Sequence, residues 1–217
     1  MIDPWETIAQ SGFQFFGKMS ASISHEIKNA LAIINEKAGL LEDFTMLAGQ
    51  GRPIDPERLK SLAGDIMKQI QRADGLVKRM NRFAHSSDDP MKTIDLGETL
   101  ELITAIAGRL ASMHEARVDL VIPDPPVMVN TNPFLLENLI WSCLSFFLAD
   151  KQKEIRMSAD SGVGEVRIKI SGGSTFTPEG IQAFPSTTEE ALLKALKAEI
   201  RLEPQPGEVI LTLPKTI

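Results

Sequence analysis

The chain has 217 residues, and with 43% hydrophobic and 24% charged positions it has the balance of a globular protein with room for one or two domains and a substantial core. A formal net charge of −6 argues against nucleic acid or an anionic membrane as a partner, and no run approaches the ~20 apolar residues of a membrane span. The single cysteine, Cys143, excludes an internal disulfide and fits a reducing cytoplasm; no basic segment followed by an apolar core marks a signal peptide, so a cytoplasmic location is expected.

Asp3-Pro4 provides a cap and a first-turn proline, which starts a helix expected to run from Pro4 to about Leu47. Its apolar positions Phe16, Met19, Ile23, Ile27, Ala30, Ile34, Ala38, Leu41 and Phe44 recur every three or four residues, as in a coiled-coil seam. Gly12 and Gly17 weaken the first part, where fraying or a bend is expected. Ala48-Gly49-Gln50-Gly51 ends this helix, and Asp55-Pro56 starts a second one. That second helix carries Leu59, Leu62, Ile66, Ile70, Ala73, Val77, Met80 and Ala84 at heptad-like spacing. A short loop between two such helices gives an antiparallel hairpin. One apolar stripe per helix calls for a second copy, so the expectation is a homodimer closed as a four-helix bundle.

His85–Pro90 reads as a polar linker. Beyond it the pattern turns mixed: a strand at Met91–Asp95, a helix from about Leu96 to Met113, and strands at Arg117–Ile122 and Val127–Asn130. Asn132-Pro133 caps a helix to about Ala149. Glu154–Ala159 and Glu165–Ile170 form a hairpin, Thr188–Glu199 a helix, and Ile200–Glu203 with Val209–Leu213 a closing hairpin. The fold class is therefore α+β, with a helical hairpin domain over 1–88 and an α/β sandwich over 91–217.

His25 lies two residues from both Ile23 and Ile27, so at ~100° per residue it points almost opposite the seam. Its neighbours at i±3 and i±4 are Ala21, Ser22, Lys28 and Asn29, all small or polar. An exposed imidazole ringed in this way suits a nucleophile offered to a visiting protein. The run Ser24-His25-Glu26-Ile27-Lys28-Asn29 resembles the phospho-acceptor motif of two-component histidine kinases, with Ala30 where a proline usually stands. The resemblance implies that His25 takes the phosphoryl group and that Glu26 hydrogen-bonds the other ring nitrogen. It gives Asn29 the place of a water-positioning amide. Ser22 and Lys28, on the face of His25, are the expected partner-binding positions, Lys28 attracting an acidic receiver pocket. Sensor-type members carry a sensing region ahead of this motif; here about a dozen residues precede it, so the chain is expected either to sense nothing itself or to be a fragment.

From residue 91 the order of elements, and the ending Glu203-Pro204-Gln205-Pro206-Gly207, look like the ATP-binding domain of the same family. Laid on the family's pattern, Trp141 and Ser145 stand where two asparagines would hold Mg²⁺ and phosphates. Ser171 takes the place of the aspartate that reads the adenine amino group. Ser186-Thr187-Thr188-Glu189-Glu190 replaces a glycine-rich helix start, and its two carboxylates would repel a triphosphate. The expectation is a fold kept and ATP given up: no cofactor on the chain itself, with Mg²⁺ supplied by the receiver. His85 and His114 look incidental, and no zinc-ligand spacing exists. Three functions compete: a histidine phosphotransferase exchanging a phosphoryl group with a receiver aspartate, an ATP-dependent kinase or a fragment of one, and a dimeric pseudokinase that sequesters a response regulator.

Overall fold

The computed structural model describes residues 3–216. The chain divides into two compact units, Ser20–Asn81 and a second comprising the segment up to Met19 together with Arg82 onward. This division differs from the linker-based boundary at 88–91. Aromatic packing accounts for the difference, since the Phe15 ring meets Phe83 edge-on at 5.2 Å and Phe134 at 5.6 Å, while Phe16 stacks on Phe83 at 5.4 Å. Each such pair contributes roughly 0.5–1.5 kcal/mol beyond its burial. The start of the first helix and the end of the second thereby join the α/β unit.

Helix α1 (Pro4–Gly49) is continuous through both Gly12 and Gly17, with Asp3 Oδ1 accepting from the Trp5 amide at 3.0 Å. Gly12 does not break the helix because its lack of a side chain is used in packing: a Cβ there would sit 3.1 Å from the Phe134 ring. Helix α2 (Pro56–His85) starts as the cap signal requires, Asp55 Oδ1 accepting from the Glu57 amide at 3.0 Å. Within Ser20–Asn81 the two run antiparallel, since Glu26 pairs with Arg72, Lys37 with Asp65 and Phe44 with Arg58. Ile23, Ala30, Leu62 and Leu76 are buried. The expected stripe of α2 is shifted: Leu76 is covered while Ile70 and Val77, together with Met67, stay exposed. Ala38 of the α1 seam and Phe16 are exposed too.

The second unit is built on a five-stranded sheet of order β2-β4-β5-β7-β6, from β2 (Arg117–Val121), β4 (Glu154–Ser161), β5 (Glu165–Gly172), β6 (Glu199–Glu203) and β7 (Glu208–Pro214). β2 joins β4 in parallel, which no local turn signal announces; the other pairings are antiparallel. β1 (Lys92–Asp95) and β3 (Met128–Thr131) form a separate two-stranded ladder. Helices α3 (Leu96–Met113) and α4 (Pro133–Ala149) have caps from Asp95 and Asn132. Alternate residues Val166, Ile168 and Ile170 of β5 and Val209, Leu211 and Leu213 of β7 are fully buried, the period-2 signature of a half-buried sheet. α6 (Thr187–Ala195) is shorter than expected, and the preceding turn-rich stretch holds a further helix, α5 (Pro178–Ala183), whose N-cap Thr177 accepts from the Gly180 amide at 3.1 Å. Six residues without a buried stripe give no periodicity to read.

Candidate functional site

His25 is exposed on α1, as its angle to the seam requires. The Asn29 side-chain amide, one turn further on, lies 3.2 Å from its Nδ1. Glu26, expected to hold that ring nitrogen, does something else: its Oε2 lies 3.3 Å from Nη2 of Arg72 on α2. Asn29 reaches Nδ1 because i and i+4 stack on one helix face, while Glu26, ~100° further round, is drawn toward Arg72. Lys28 is exposed beside the ring. Ser22 is not available to a partner, being only 2% exposed, with a hydroxyl that finds no partner among the described residues. It adjoins Ile23 and follows Met19 by three, and both of those are buried, so it belongs to the edge of the packed face.

The second unit has a cleft of about 670 Å³ between the first turns of α1, one face of α4 and the starts of α5 and α6. Asn138, Trp141 and Ser145 line it at the i, i+3, i+7 spacing of a single helical face. Of the three single residues expected to replace nucleotide ligands, Trp141 and Ser145 are thus brought together, with Ser186, Thr188 and Glu189 of the replaced helix start. The third, Ser171, is not among the lining residues. In β5 it alternates with the inward Val166, Ile168 and Ile170, so it stands on the opposite face and lines a separate hollow of about 250 Å³. The inward position at this end of the strand is Gly172, where a Cβ would meet Gln152 Oε1 at 2.5 Å. Gln152 fills that space and accepts from the Ser174 amide at 3.1 Å while donating to Asp150 Oδ2 at 3.0 Å. The alternation of apolar residues in β5 was a signal sufficient to place Ser171 correctly.

The polar groups of the cleft are largely engaged with one another. Asn138, a residue the sequence reading passed over, is 1% exposed and donates to Ser11 Oγ at 3.0 Å, its carbonyl oxygen having no partner among the described residues. Lys18, the one cation among the described lining residues, sits 5.0 Å over the Trp141 ring. Glu189 closes a capping box at the start of α6, Oε2 accepting from the Ser186 amide at 2.8 Å. Burial pushes the Asp150 carboxyl up, but hydrogen bonds from Thr177 and Gln152 outweigh it and hold it below the ordinary carboxylate value. Together Asp150, Glu179 and Glu189 face a single lysine, a field hostile to polyanions. Cys143 is fully buried, and burial raises its thiol far above the range of a reactive cysteine.

Among the described residues no three His, Cys, Asp or Glu side chains converge as a metal site, and no described helix is long and apolar enough to cross a membrane. No protein-family model matches the chain, and no curated protein does. Solved structures do. One is the histidine kinase AdeS of Acinetobacter baumannii, 14% identical, covering 88% of this chain and 98% of its own at a TM-score of 0.47. Another is the ATP-binding domain of PrrB from Mycobacterium tuberculosis, 20% identical, covering 58% of this chain and 98% of its own at a TM-score of 0.47. A third is the histidine kinase ThkA in complex with the response regulator TrrA, 16% identical, covering 94% of this chain and 63% of its own, also at 0.47. All three are histidine kinases or domains of one.

Proposed function

We propose that the chain is a histidine phosphotransferase of a two-component relay, in which His25 takes a phosphoryl group from a receiver-domain aspartate and passes it to another. The observation that carries the reading is an exposed imidazole on a helix face whose neighbours Lys28 and Asn29 are exposed as well, a surface open to a visiting receiver. Lys28 beside it offers a positive charge to an acidic receiver pocket. The receiver brings its own Mg²⁺, and holding the reacting atoms in line supplies most of the rate. A response regulator is also the partner named for ThkA, one of the similar structures.

The chain acts as a homodimer in this reading. Met67, Ile70 and Val77 recur along α2, exposed in the single chain, and a second hairpin would cover them. ATP is not the phosphoryl source, because the cleft beside α4 opposes three carboxylates to one lysine and has Trp141 on its wall. Mg-ATP is expected to give no heat of binding at sub-millimolar nucleotide, and a micromolar dissociation constant would restore the kinase reading. The test of the transfer itself is incubation with a labelled phospho-receiver, which should leave an acid-labile, alkali-stable label on His25. A receiver that binds tightly but leaves no label would make the protein a sequestering scaffold.

A further inference from the structure

Glu26 and Asn29 flank His25 on α1, and their side chains are engaged in different ways. The Asn29 amide nitrogen reaches Nδ1 at 3.2 Å. The Glu26 carboxylate, its side chain only 17% exposed, is held at 3.3 Å by Arg72, whose own side chain is 51% exposed. An amide nitrogen can only donate, so a neutral imidazole that accepts it at Nδ1 carries its own proton on Nε2. In that tautomer Nε2 has no free in-plane lone pair to give to phosphorus. A carboxylate at Nδ1 reverses the arrangement by accepting Nδ1–H and leaving Nε2 bare. The group able to do this lies on the adjacent residue, in the grip of an arginine that solvent and partners can reach.

We propose that Arg72 is a positioning residue for His25: it keeps Glu26 off the ring in the resting protein, and its capture by an acidic face of the incoming receiver frees Glu26 to take Nδ1–H. The inference rests on the phosphotransfer reading. In the step so primed, the Nε2 lone pair forms the N–P bond while the bond from phosphorus to the receiver's aspartate oxygen breaks. The electron pair leaves with the aspartate carboxylate, and the Nδ1 proton passes to Glu26. A half-exposed ion pair of this kind is weak enough to be exchanged for another carboxylate.

The test is the ¹⁵N spectrum of the His25 ring in the full chain, without receiver, at a pH where the ring is neutral. Wild type should show a pyrrole-like Nε2 and a pyridine-like Nδ1. Arg72→Gln should move both signals toward the opposite tautomer, Arg72→Lys should keep the wild-type pattern, and Arg72→Gln combined with Glu26→Gln should restore it. Unchanged signals in Arg72→Gln, or a shift that persists in the double variant, would overturn the proposal. Labelling by a phospho-receiver gives the separate arm: ring signals that respond as expected, in a wild-type protein that no phospho-receiver labels, would bring down the phosphotransfer reading and the reaction step with it.

Discussion

The helix turn around His25 and the cleft beside α4 treat their polar groups in opposite ways. In the cleft nearly everything polar is spent internally: Asn138 donates to Ser11, Asp150 accepts from Thr177 and Gln152, Glu189 caps α6, and Lys18 lies on Trp141. Around His25 the ring carries one contact to Asn29 and stays exposed, with Lys28 beside it. Function follows hydrogen-bonding capacity left over after folding. By that measure the spare capacity lies on the hairpin around His25, and the polar groups of the cleft serve mainly to hold the α/β unit together.

Substitutions can break this comparison, and the largest effect is expected at the hairpin surface. If two hairpins pair as proposed, Ile70→Asp should leave a folded monomer, since Ile70 is 45% exposed in the single chain yet would place an unpaired charge inside the bundle, at a cost of about 3–5 kcal/mol. Light scattering of a persistent dimer would contradict the bundle. In the α/β unit the sensitivity lies inside: Leu144→Ala should cost about 2–5 kcal/mol in denaturant unfolding, whereas Val163→Ala, on a fully exposed turn, should stay within about 0.5 kcal/mol.

A third prediction concerns the far side of α4. Glu137 is 4% exposed, and its Oε2 has no partner among the described residues. Burial pushes its carboxyl from 4.5 up to about 7, against the smaller lowering effects of Ser86 and Arg82. A folded value above the unfolded one means that its favourable contribution is full below pH 4.5 and is lost as pH rises toward 7. The loss is on the order of 3 kcal/mol at most. Unfolding titrations should therefore show wild-type stability falling across that window relative to Glu137→Gln; parallel curves would mean that the carboxyl titrates normally. Smaller again, Glu26→Ala should slow phosphotransfer by about 10²-fold, the lower range for an acid–base contribution. Rapid-quench rates equal to wild type would remove Glu26 from the chemistry.

The sequence made legible whatever was written locally. Asp3-Pro4, Asp55-Pro56 and Asn132-Pro133 each start a helix where the cap-and-proline signal stands, and α3 spans Leu96–Met113 as its pattern indicates. What was lost depended on partners distant in sequence. Arg72 claims Glu26 from forty-six residues away, and the parallel β2–β4 pairing joins strands separated by α4. Ser171 was misplaced because a family motif was laid on the chain residue by residue, while the strand periodicity around it already gave the face; Ser22, three residues before His25, was read onto the ring's side although Met19 and Ile23 near it belong to the buried face.

The central claim is that His25 is the group through which this chain does chemistry. The most direct measurement is transfer of label from a phosphorylated receiver to the wild-type protein and to His25→Gln, His85→Gln and His114→Gln. The account predicts an acid-labile, alkali-stable label on wild type and on the last two, and none on His25→Gln, with its dimerisation unchanged because an exposed side chain contributes little to packing. Label persisting in His25→Gln would contradict it.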